Sequence, residues 1–496
     1  MKNIVTFFLM LFAAVPSCAQ QLLSLDSCRA MALRNNKQLG ISRLKQDVAR
    51  YTRKAARTKY LPHVDVVGGY EFMSKEISIL SDGQKTALKS IGTTASGQIG
   101  TSMSSILSEM VSGGVITQEM AQALGNVSTK TASGIQEAGN SIGKSIVDAF
   151  DTDTKNIFSA SVMLTQPIYM GGSIIAANKI AAINEQLAAN DIQNTTQNTI
   201  YSIDNAYWTV VSLKNKEKLA QSYLGLVKRL SDDVHKMIRE GVATRADGLK
   251  VDVKVNEAEM QLTQVENGLS LSKMLLCQLC GLPVSNNITL EDEEKESIAA
   301  SDETTVVDME TAKENRSEMK MLQNAIDISR QSTNLIRAAY LPQVALTAGY
   351  LVTNPSLYNG FENKFSGVWN IGVLVRVPVW NWFEGTYKIR ASKAATSIAQ
   401  LEYDEAGEKI ELQINQSSYK VSEANKKLAM AHKNTESADE NLRCANLGFK
   451  EGVMDVTDVM AAQTAWLQAR SQKIDAEIDL KLSQINLKKV MGEKLY

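Results

Sequence analysis

The chain has 496 residues, which is enough for two or three ordinary domains. Its formal net charge of −1, without any long block of like charges, argues against a nucleic-acid-binding protein. A hydrophobic content of 44%, only 7 Pro and 6% aromatic residues favour long helices over a loop-rich enzyme.

The first 19 residues predict a signal peptide. Lys2 supplies the positive start, residues 4–15 the apolar core and residues 17–19 a small-residue cleavage site. A lipoprotein signal ending at Cys18 is the alternative, and Cys18 would then be acylated. No later segment has 18 uncharged apolar residues, so the mature chain is predicted to be secreted, periplasmic or inserted in an outer membrane as a β-barrel.

Four segments alternate between apolar and polar residues with a period of two, which predicts strands with two different faces. The apolar faces begin at Val64, Phe158, Val344 and Trp369. Each segment runs for about ten residues, the length of a tilted strand that crosses a bilayer. A soluble β-sandwich is the alternative. Aromatic residues near the segment ends favour the membrane: Tyr70, Phe72, Phe158, Tyr169, Trp369, Trp380 and Trp382.

Residues 74–156 separate the first two predicted strands and are rich in Gly, Ser, Ala and Thr. This composition predicts an inserted loop with one or two short helices. If the strands cross an outer membrane and the long helices predicted elsewhere in the chain lie in the periplasm, the insert would lie outside the cell. It could plug the outer mouth of a pore, contact surface polysaccharide or remain disordered.

The other segments predict helices. Residues 172–239 and 384–450 are free of Pro, and each is long enough for a helix of about 100 Å. The shorter helices predicted at 25–59 and 242–280 together match one long helix in length. Those at 311–340 and 455–491 do the same, so each pair is expected to stack end to end. Narrow apolar stripes on these helices favour coiled-coil packing.

An internal repeat organises these elements. Tyr60-Leu61-Pro62 recurs 280 residues later as Tyr340-Leu341-Pro342. Four further pairs recur at offsets of 211 or 212: Pro167 and Pro378, Tyr207 and Tyr419, Gly241 and Gly452, and Asp247 and Asp458. The prediction is a first structural repeat at 20–283, a second at 310–496 and an acidic, solvated linker at 284–309 between them.

The chain resembles TolC-type outer-membrane efflux proteins, the outer membrane factor family, from Leu25 to Tyr496. The resemblance rests on the duplicated Tyr-Leu-Pro, the QPIYMGG stretch at 166–172, the LCQLCGLP stretch at 276–283 and the twin Gly-Val turns followed by Asp. It implies a trimeric 12-stranded β-barrel with four strands per chain, continued by a long α-helical periplasmic barrel. Pro167, Gly171, Gly172 and Pro378 would form the junctions between barrel and helices.

The Gly-Val turns are interpreted as helix reversals at the periplasmic end. Gly241 and Gly452 would supply left-handed C-caps, and Thr244 and Asp455 the next N-caps.

The resemblance implies that the turns, with Val242 and Val453, contact a periplasmic adaptor protein. It also implies that Asp247 and Asp458 narrow the closed aperture. Charge stabilisation of a helix N-terminus is the alternative role for both Asp residues. Ala461 and Met454 depart from the family pattern and put a double acidic ring and an Arg latch in doubt.

Other candidate sites carry less weight. Cys277 and Cys280 have the spacing of a redox or zinc pair, but without a second pair they are interpreted as buried helix residues. Cys28 and Cys444 are also expected to be packing residues. His63, His235 and His432 lie on different elements, so we predict no catalytic, cofactor or metal site.

The predicted function is therefore that of a passive exit duct in the outer membrane of a Gram-negative bacterium, exporting small molecules with energy from an inner-membrane pump. Its expected partners are two further copies of the chain, a periplasmic adaptor (membrane fusion) protein, an inner-membrane transporter and outer-membrane lipid, without nucleic acid. The alternatives are the outer-membrane component of a protein secretion system and a periplasmic coiled-coil scaffold without a pore.

Overall fold

The structure is a computed structural model that describes residues 21–75, 78, 80–150, 155–295, 309–356, 358 and 362–495. The predicted signal peptide and Cys18 lie outside the described residues, as does the linker segment 296–308. In chain order the elements are β1 (Gln21–Leu23), α1 (Leu25–Asn35), α2 (Lys37–Thr58), β2 (His63–Phe72), α3 (Asp82–Lys89), α4 (Ile91–Ser112), α5 (Gln118–Ala149), β3 (Asn156–Met170), α6 (Ser173–Arg239), α7 (Arg245–Cys280), β4 (Ile288–Leu290), α8 (Met309–Asn315), α9 (Ser317–Ala338), β5 (Gln343–Asn354), β6 (Ser366–Arg376), α10 (Glu384–Lys450) and α11 (Val456–Val490).

The chain divides into two compact units. The helical unit contains the described residues up to Ala56, then Ile175–Arg337 and the residues from Trp382 onwards. The sheet unit contains Arg57–Ile174 and Ala338–Asn381. Among the described helices, none combines the length and the hydropathy needed to cross a membrane.

The two long helices of the helical unit have the same length. α6 and α10 each contain 67 residues and are related by a constant offset of 211. Ile203 and Ile414, which this offset pairs, are both fully buried. The pairing of Tyr207 with Tyr419 is therefore wrong by one residue, which turns a side chain by about 100°. Tyr207 is fully buried, whereas Tyr419 is 77% exposed.

Both predicted N-terminal helices of the repeats are broken. The helix predicted at 25–59 ends at Asn35 and restarts at Lys37, because Asn36 is extended and its Oδ1 accepts a 2.9 Å hydrogen bond from the amide of Gln38. The helix predicted at 311–340 is likewise interrupted at Arg316. The Asn36 Nδ2 also donates to the Leu279 carbonyl at 2.9 Å, so the end of α7 meets the break between α1 and α2. This contact agrees with the predicted end-to-end arrangement.

The sheet unit contains a four-stranded antiparallel sheet in the order β2-β3-β5-β6. The strands have 10, 15, 12 and 11 residues, which confirms four strands long enough to cross a bilayer at a tilt. The predicted apolar faces of the two outer strands are exposed, with Val66 and Trp369 each more than 70% accessible. A soluble sandwich would bury such a face against a second sheet.

The insert between β2 and β3 is mainly helical, so the predicted loop with short helices is wrong. α3, α4 and α5 cover most of it, and α5 alone has 32 residues. Gly and Ser lower the intrinsic helix propensity, which is why the composition suggested a loop. Here they permit close packing, because a Cβ at Gly92, Gly139 or Gly143 would overlap the backbone of the facing helix. The Asn140 Oδ1 accepts hydrogen bonds from the amides of Gly92 and Thr93, in the first turn of α4, at 3.0 and 3.1 Å.

The described part of the acidic linker is folded. β4 pairs in parallel with β1, and Glu293 is buried beside the Lys273 ammonium at 3.1 Å. Asp292 accepts a 2.6 Å hydrogen bond from the Tyr207 hydroxyl. The prediction of a solvated connection is therefore wrong for Asp292 and Glu293, whose carboxylates are held by specific partners, whereas Glu291 and Glu294 are exposed as predicted.

Candidate functional site

The first helix reversal follows α6. The amide of Gly241 donates to the Ile238 carbonyl at 3.1 Å, and that of Val242 to the Met237 carbonyl at 2.9 Å. This is a Schellman motif, in which the residue after the helix adopts a left-handed conformation; Gly241 has a φ of 77°. The predicted left-handed C-cap is confirmed, and the absence of a Cβ explains the glycine.

The second reversal, after α10, repeats the motif. The amide of Gly452 donates to Phe449 at 3.2 Å, and that of Val453 to Gly448 at 2.9 Å. Gly452 has a φ of 74°. Met454 packs against Gly448, because a Cβ on Gly448 would lie 3.1 Å from the Cγ and Sδ of Met454. Val453 is 80% exposed and Val242 of the first turn 70% exposed, which leaves an apolar side chain at each turn.

The two returning helices begin with different caps. Thr244 and Asp247 form a capping box at the start of α7: the Thr244 Oγ1 accepts from the Asp247 amide at 3.3 Å and donates to its Oδ2 at 2.6 Å. At the start of α11, Asp455 Oδ1 accepts from the Asp458 amide at 2.9 Å. Both predicted N-caps are confirmed.

The caps leave the two aperture candidates in different states. Asp247 is half-buried, and its carboxylate also lies 3.2 Å from the Lys250 ammonium. The Thr244 hydroxyl and Lys250 lower the pKa of Asp247. Asp458 is exposed, and within the described residues its carboxylate accepts no hydrogen bond and forms no ion pair. The capping alternative therefore accounts for Asp247, whereas Asp458 is available for another role.

The predicted junction residues lie where strands give way to long helices. A bulge interrupts the pairing of β3 between Pro167 and Tyr169, and Pro378 follows the end of β6. Gly171 and Gly172 have φ values of 64° and 88°. A Cβ on Gly171 would overlap the Ala338 carbonyl oxygen, so only glycine fits there.

The second repeat uses aromatic residues at the same two backbone positions. Trp382 and Phe383, 211 residues after the glycines, have φ values of 50° and 65°. Bulky residues rarely adopt this conformation because Cβ crowds the backbone. Sequence reasoning missed these two positions, although the offset of 211 applied to Gly171 and Gly172 points directly to them.

An ion pair in the helical unit was also missed. Arg29 on α1 donates to both carboxylate oxygens of Asp204 on α6, at 2.7 and 2.6 Å, and Asp204 is fully buried. The two residues are 175 positions apart, so no local pattern connects them. The bidentate geometry compensates the carboxylate for its loss of water.

The cysteines follow the expectation only in part. Cys28, Cys277 and Cys280 are buried, whereas Cys444 is exposed, which corrects its interpretation as a packing residue. Within the described parts of the chain, no group of three or more His, Cys, Asp or Glu side chains has an arrangement that could hold a metal ion.

The chain thus combines a four-stranded sheet, whose apolar face is exposed and whose strands are long enough to cross a bilayer, with two long helices that end in reversal turns. The outer membrane efflux protein family matches residues 116–282 and 309–493, so the chain belongs to this family. It is an exit duct for efflux in the outer membrane, with its helical part in the periplasm.

Individual relatives are similar to the chain over most of its length. The outer membrane protein TolC of Vibrio cholerae is 21% identical over 344 residues, which are 68% of this chain and 77% of that protein. The outer-membrane channel OprN has the same fold, with a TM-score of 0.71 at 13% identity over 95% of this chain and 90% of that one. VceC of Vibrio cholerae gives a TM-score of 0.68 at 13% identity over 95% and 97%.

Proposed function

We propose that three copies of the chain assemble into one closed channel through which small molecules leave passively. The observation that carries this proposal is the sheet: it has two free edges, at β2 and β6, and an exposed apolar face. Unpaired strand edges are not tolerated in lipid, because each free backbone group there costs several kcal/mol. Four strands are too few to close around an open lumen, whereas twelve from three chains are sufficient.

The six reversal turns of such a trimer would form the contact surface for a periplasmic adaptor. Support comes from the two hydrogen-bonded Schellman turns, each of which holds an exposed valine, Val242 or Val453. Apolar side chains held on capped turns lose little conformational freedom when a partner covers them. The adaptor would connect the duct to an inner-membrane transporter, which supplies the energy.

Asp458 is the residue we propose for the aperture. Three exposed carboxylates near one axis repel each other and attract cations. Asp247 is the matched comparison, because it is also an acid three residues into a returning helix, but its carboxylate is held by Thr244 and Lys250.

Planar-bilayer recordings test the aperture. Asp458→Asn should reduce cation selectivity, measured as the reversal potential in a KCl gradient, and weaken block by divalent cations. Asp247→Asn should leave both quantities unchanged. If Asp458→Asn behaves like the wild type, Asp458 has no part in the aperture. If no channel forms at all and the detergent-purified protein has the mass of one chain, the trimer itself is wrong.

We further propose that the helical insert restricts the outer mouth. The strands that flank it end side by side, since the Met73 amide donates to the Lys155 carbonyl at 2.8 Å. Residues 80–150 can therefore be replaced by a short Gly-Ser turn without separating β2 from β3. The shortened channel should have a higher single-channel conductance than the wild type; equal conductance would contradict the plug.

A further inference from the structure

Three buried thiols meet where the end of α7 contacts α1. Cys28 comes from α1, and Cys277 and Cys280 come from the last turn of α7. The Cys280 Sγ lies 3.7 Å from the Cys28 carbonyl oxygen, and both side chains are buried in the same cluster. Cys277 instead donates to the Ser285 carbonyl at 3.3 Å. Cys280 is therefore the cysteine whose sulfur directly contacts Cys28, although 252 positions separate them.

We propose that Cys28 and Cys280 form a disulfide bond in the exported protein. Each side chain is fully buried, and each belongs to an element whose backbone is fixed by the contact between Asn36 and Leu279. The helical part of the chain lies in the periplasm, an oxidising compartment in which paired thiols become and remain disulfides.

The second repeat shows that the packing at this place does not require a thiol. The offset of 211 pairs Cys280 with Met491, which is also buried, and both positions precede a left-handed glycine. Gly281 lies against Asn35 and Gly492 against Asn315, so the two helix ends have the same environment. A methionine fills the position in the second repeat, whereas the first repeat places a thiol beside a second thiol.

The oxidation is a pair of thiol–disulfide exchanges with a disulfide-bonded oxidant of the periplasm. The Cys28 sulfur attacks one sulfur of the oxidant and forms a mixed disulfide, and the first oxidant thiolate leaves. The Cys280 thiolate then attacks the Cys28 sulfur and releases the second. The oxidant ends as two thiols that carry the two protons, and the protein ends with one disulfide.

The burial of both sulfurs fixes the order of events. A protein oxidant cannot reach side chains that are fully covered, so the exchange has to take place before α1 docks on α7 during folding. Once the helices have docked, the same burial protects the bond from reductants. The link would join the beginning of the first repeat to its end and restrict the unfolded chain over a very long loop.

Peptide mapping of the full-length wild-type protein tests the pairing. Cells are quenched with acid, free thiols are alkylated, and the purified channel is digested with trypsin without reductant. The peptide that ends at Arg29 should be linked to the peptide that runs from Met274 to Lys295, and the link should disappear after reduction. Cys277 and Cys444 should be alkylated, so Cys444 serves as the internal control for alkylation.

Cys277 and Cys280 lie in one tryptic peptide, so the map alone does not show which of them is linked to Cys28. Two variants identify the linked cysteine. Cys277→Ser should retain the link, and Cys280→Ser should lose it. Full alkylation of Cys28 and Cys280 in the wild type would overturn the proposal, as would a link that survives in Cys280→Ser. Reduction of the denatured wild type before refolding should also lower its Tm relative to the oxidised protein, whereas the same treatment should leave the Tm of Cys280→Ser unchanged.

Discussion

In the first repeat, α1 and α6 are joined by the buried ion pair of Arg29 and Asp204, whereas the equivalent positions of the second repeat hold Met309 and Asn415. Tyr207 is buried and bonded to Asp292, whereas its equivalent in the second repeat, Ser418, is exposed. The two repeats thus share a backbone design but not a polar interior. Duplication preserved helix lengths and turns, while the side chains between the helices diverged.

The helix reversals differ in the same way. In the first repeat the acid after the turn belongs to the capping box, and in the second repeat the cap is Asp455, which leaves Asp458 without such a task. Of the two equivalent acids, Asp247 and Asp458, only Asp458 therefore has no side-chain partner within the described residues. Equivalent residues of the two repeats therefore make different contacts, so each substitution below in one repeat is compared with a control elsewhere in the chain.

The largest effect is expected at the buried ion pair. Arg29→Ala leaves the Asp204 carboxylate buried without a partner, which should destabilise the protein by about 3–5 kcal/mol. A lower Tm of the purified channel in detergent measures this loss. Arg443→Ala is the matched control, because Arg443 pairs with Glu440 on an exposed helix face, and it should leave the Tm unchanged. An equal Tm for both variants would show that the buried pair contributes nothing specific to the first repeat.

The next largest effect is expected at Tyr207. Burial and the neighbouring Asp292 raise the pKa of Tyr207, so its hydroxyl remains protonated and donates. Tyr207→Phe removes a hydrogen bond to a charged group, for which about 1.5–3 kcal/mol is typical. Tyr419→Phe changes an exposed ring and should have no effect on the Tm. A loss at Tyr419 as large as that at Tyr207 would mean that the two repeats bury their tyrosines alike.

A smaller and local effect is expected at the caps. Thr244→Ala removes the capping box of α7 and should destabilise its first turn by about 1 kcal/mol. Faster hydrogen exchange at the first amides of α7, with the start of α11 unchanged, would measure it. Thr244→Ser keeps the hydroxyl and should exchange like the wild type. Uniform acceleration at both turns would argue that the caps do not act separately.

The smallest effect is expected at the left-handed junction. Gly172→Ala meets no neighbouring atom, so it should cost about 1 kcal/mol through backbone conformation alone. In the second repeat, Phe383→Gly relieves the corresponding strain, and its net effect on the Tm should be smaller than that of Gly172→Ala. A large loss of stability in Phe383→Gly would instead show that contacts of the ring outweigh the strain.

The features that could be predicted from the sequence are those encoded by neighbouring residues. Strand alternation, the Schellman glycines and the caps at Thr244 and Asp455 depend on contacts within a few positions, so a local pattern contains the information. Local composition also produced the wrong prediction of a loop for the insert. A Gly-rich stretch reads as a loop until a facing helix turns its glycines into a packing surface, as Gly92 and Gly139 do.

Contacts between distant residues could not be predicted. Arg29 and Asp204, or Cys28 and Cys280, have no shared spacing and become neighbours only when the helices dock. The pairing of Tyr207 with Tyr419 is wrong for another reason. It matches two residues of the same type, whereas the ends of α6 and α10 set an offset of 211 that pairs Tyr207 with Ser418. In a helix, a shift of one position changes the face that a side chain occupies.

The identical length of α6 and α10 places a constraint on how this protein can evolve. Each residue added to only one of them would advance its reversal turn by about 1.5 Å and rotate it by about 100°. The two reversal turns, which we propose for adaptor contact, would then shift relative to each other in height and orientation. Any change in the length of the helical duct therefore has to be made in α6 and α10 together.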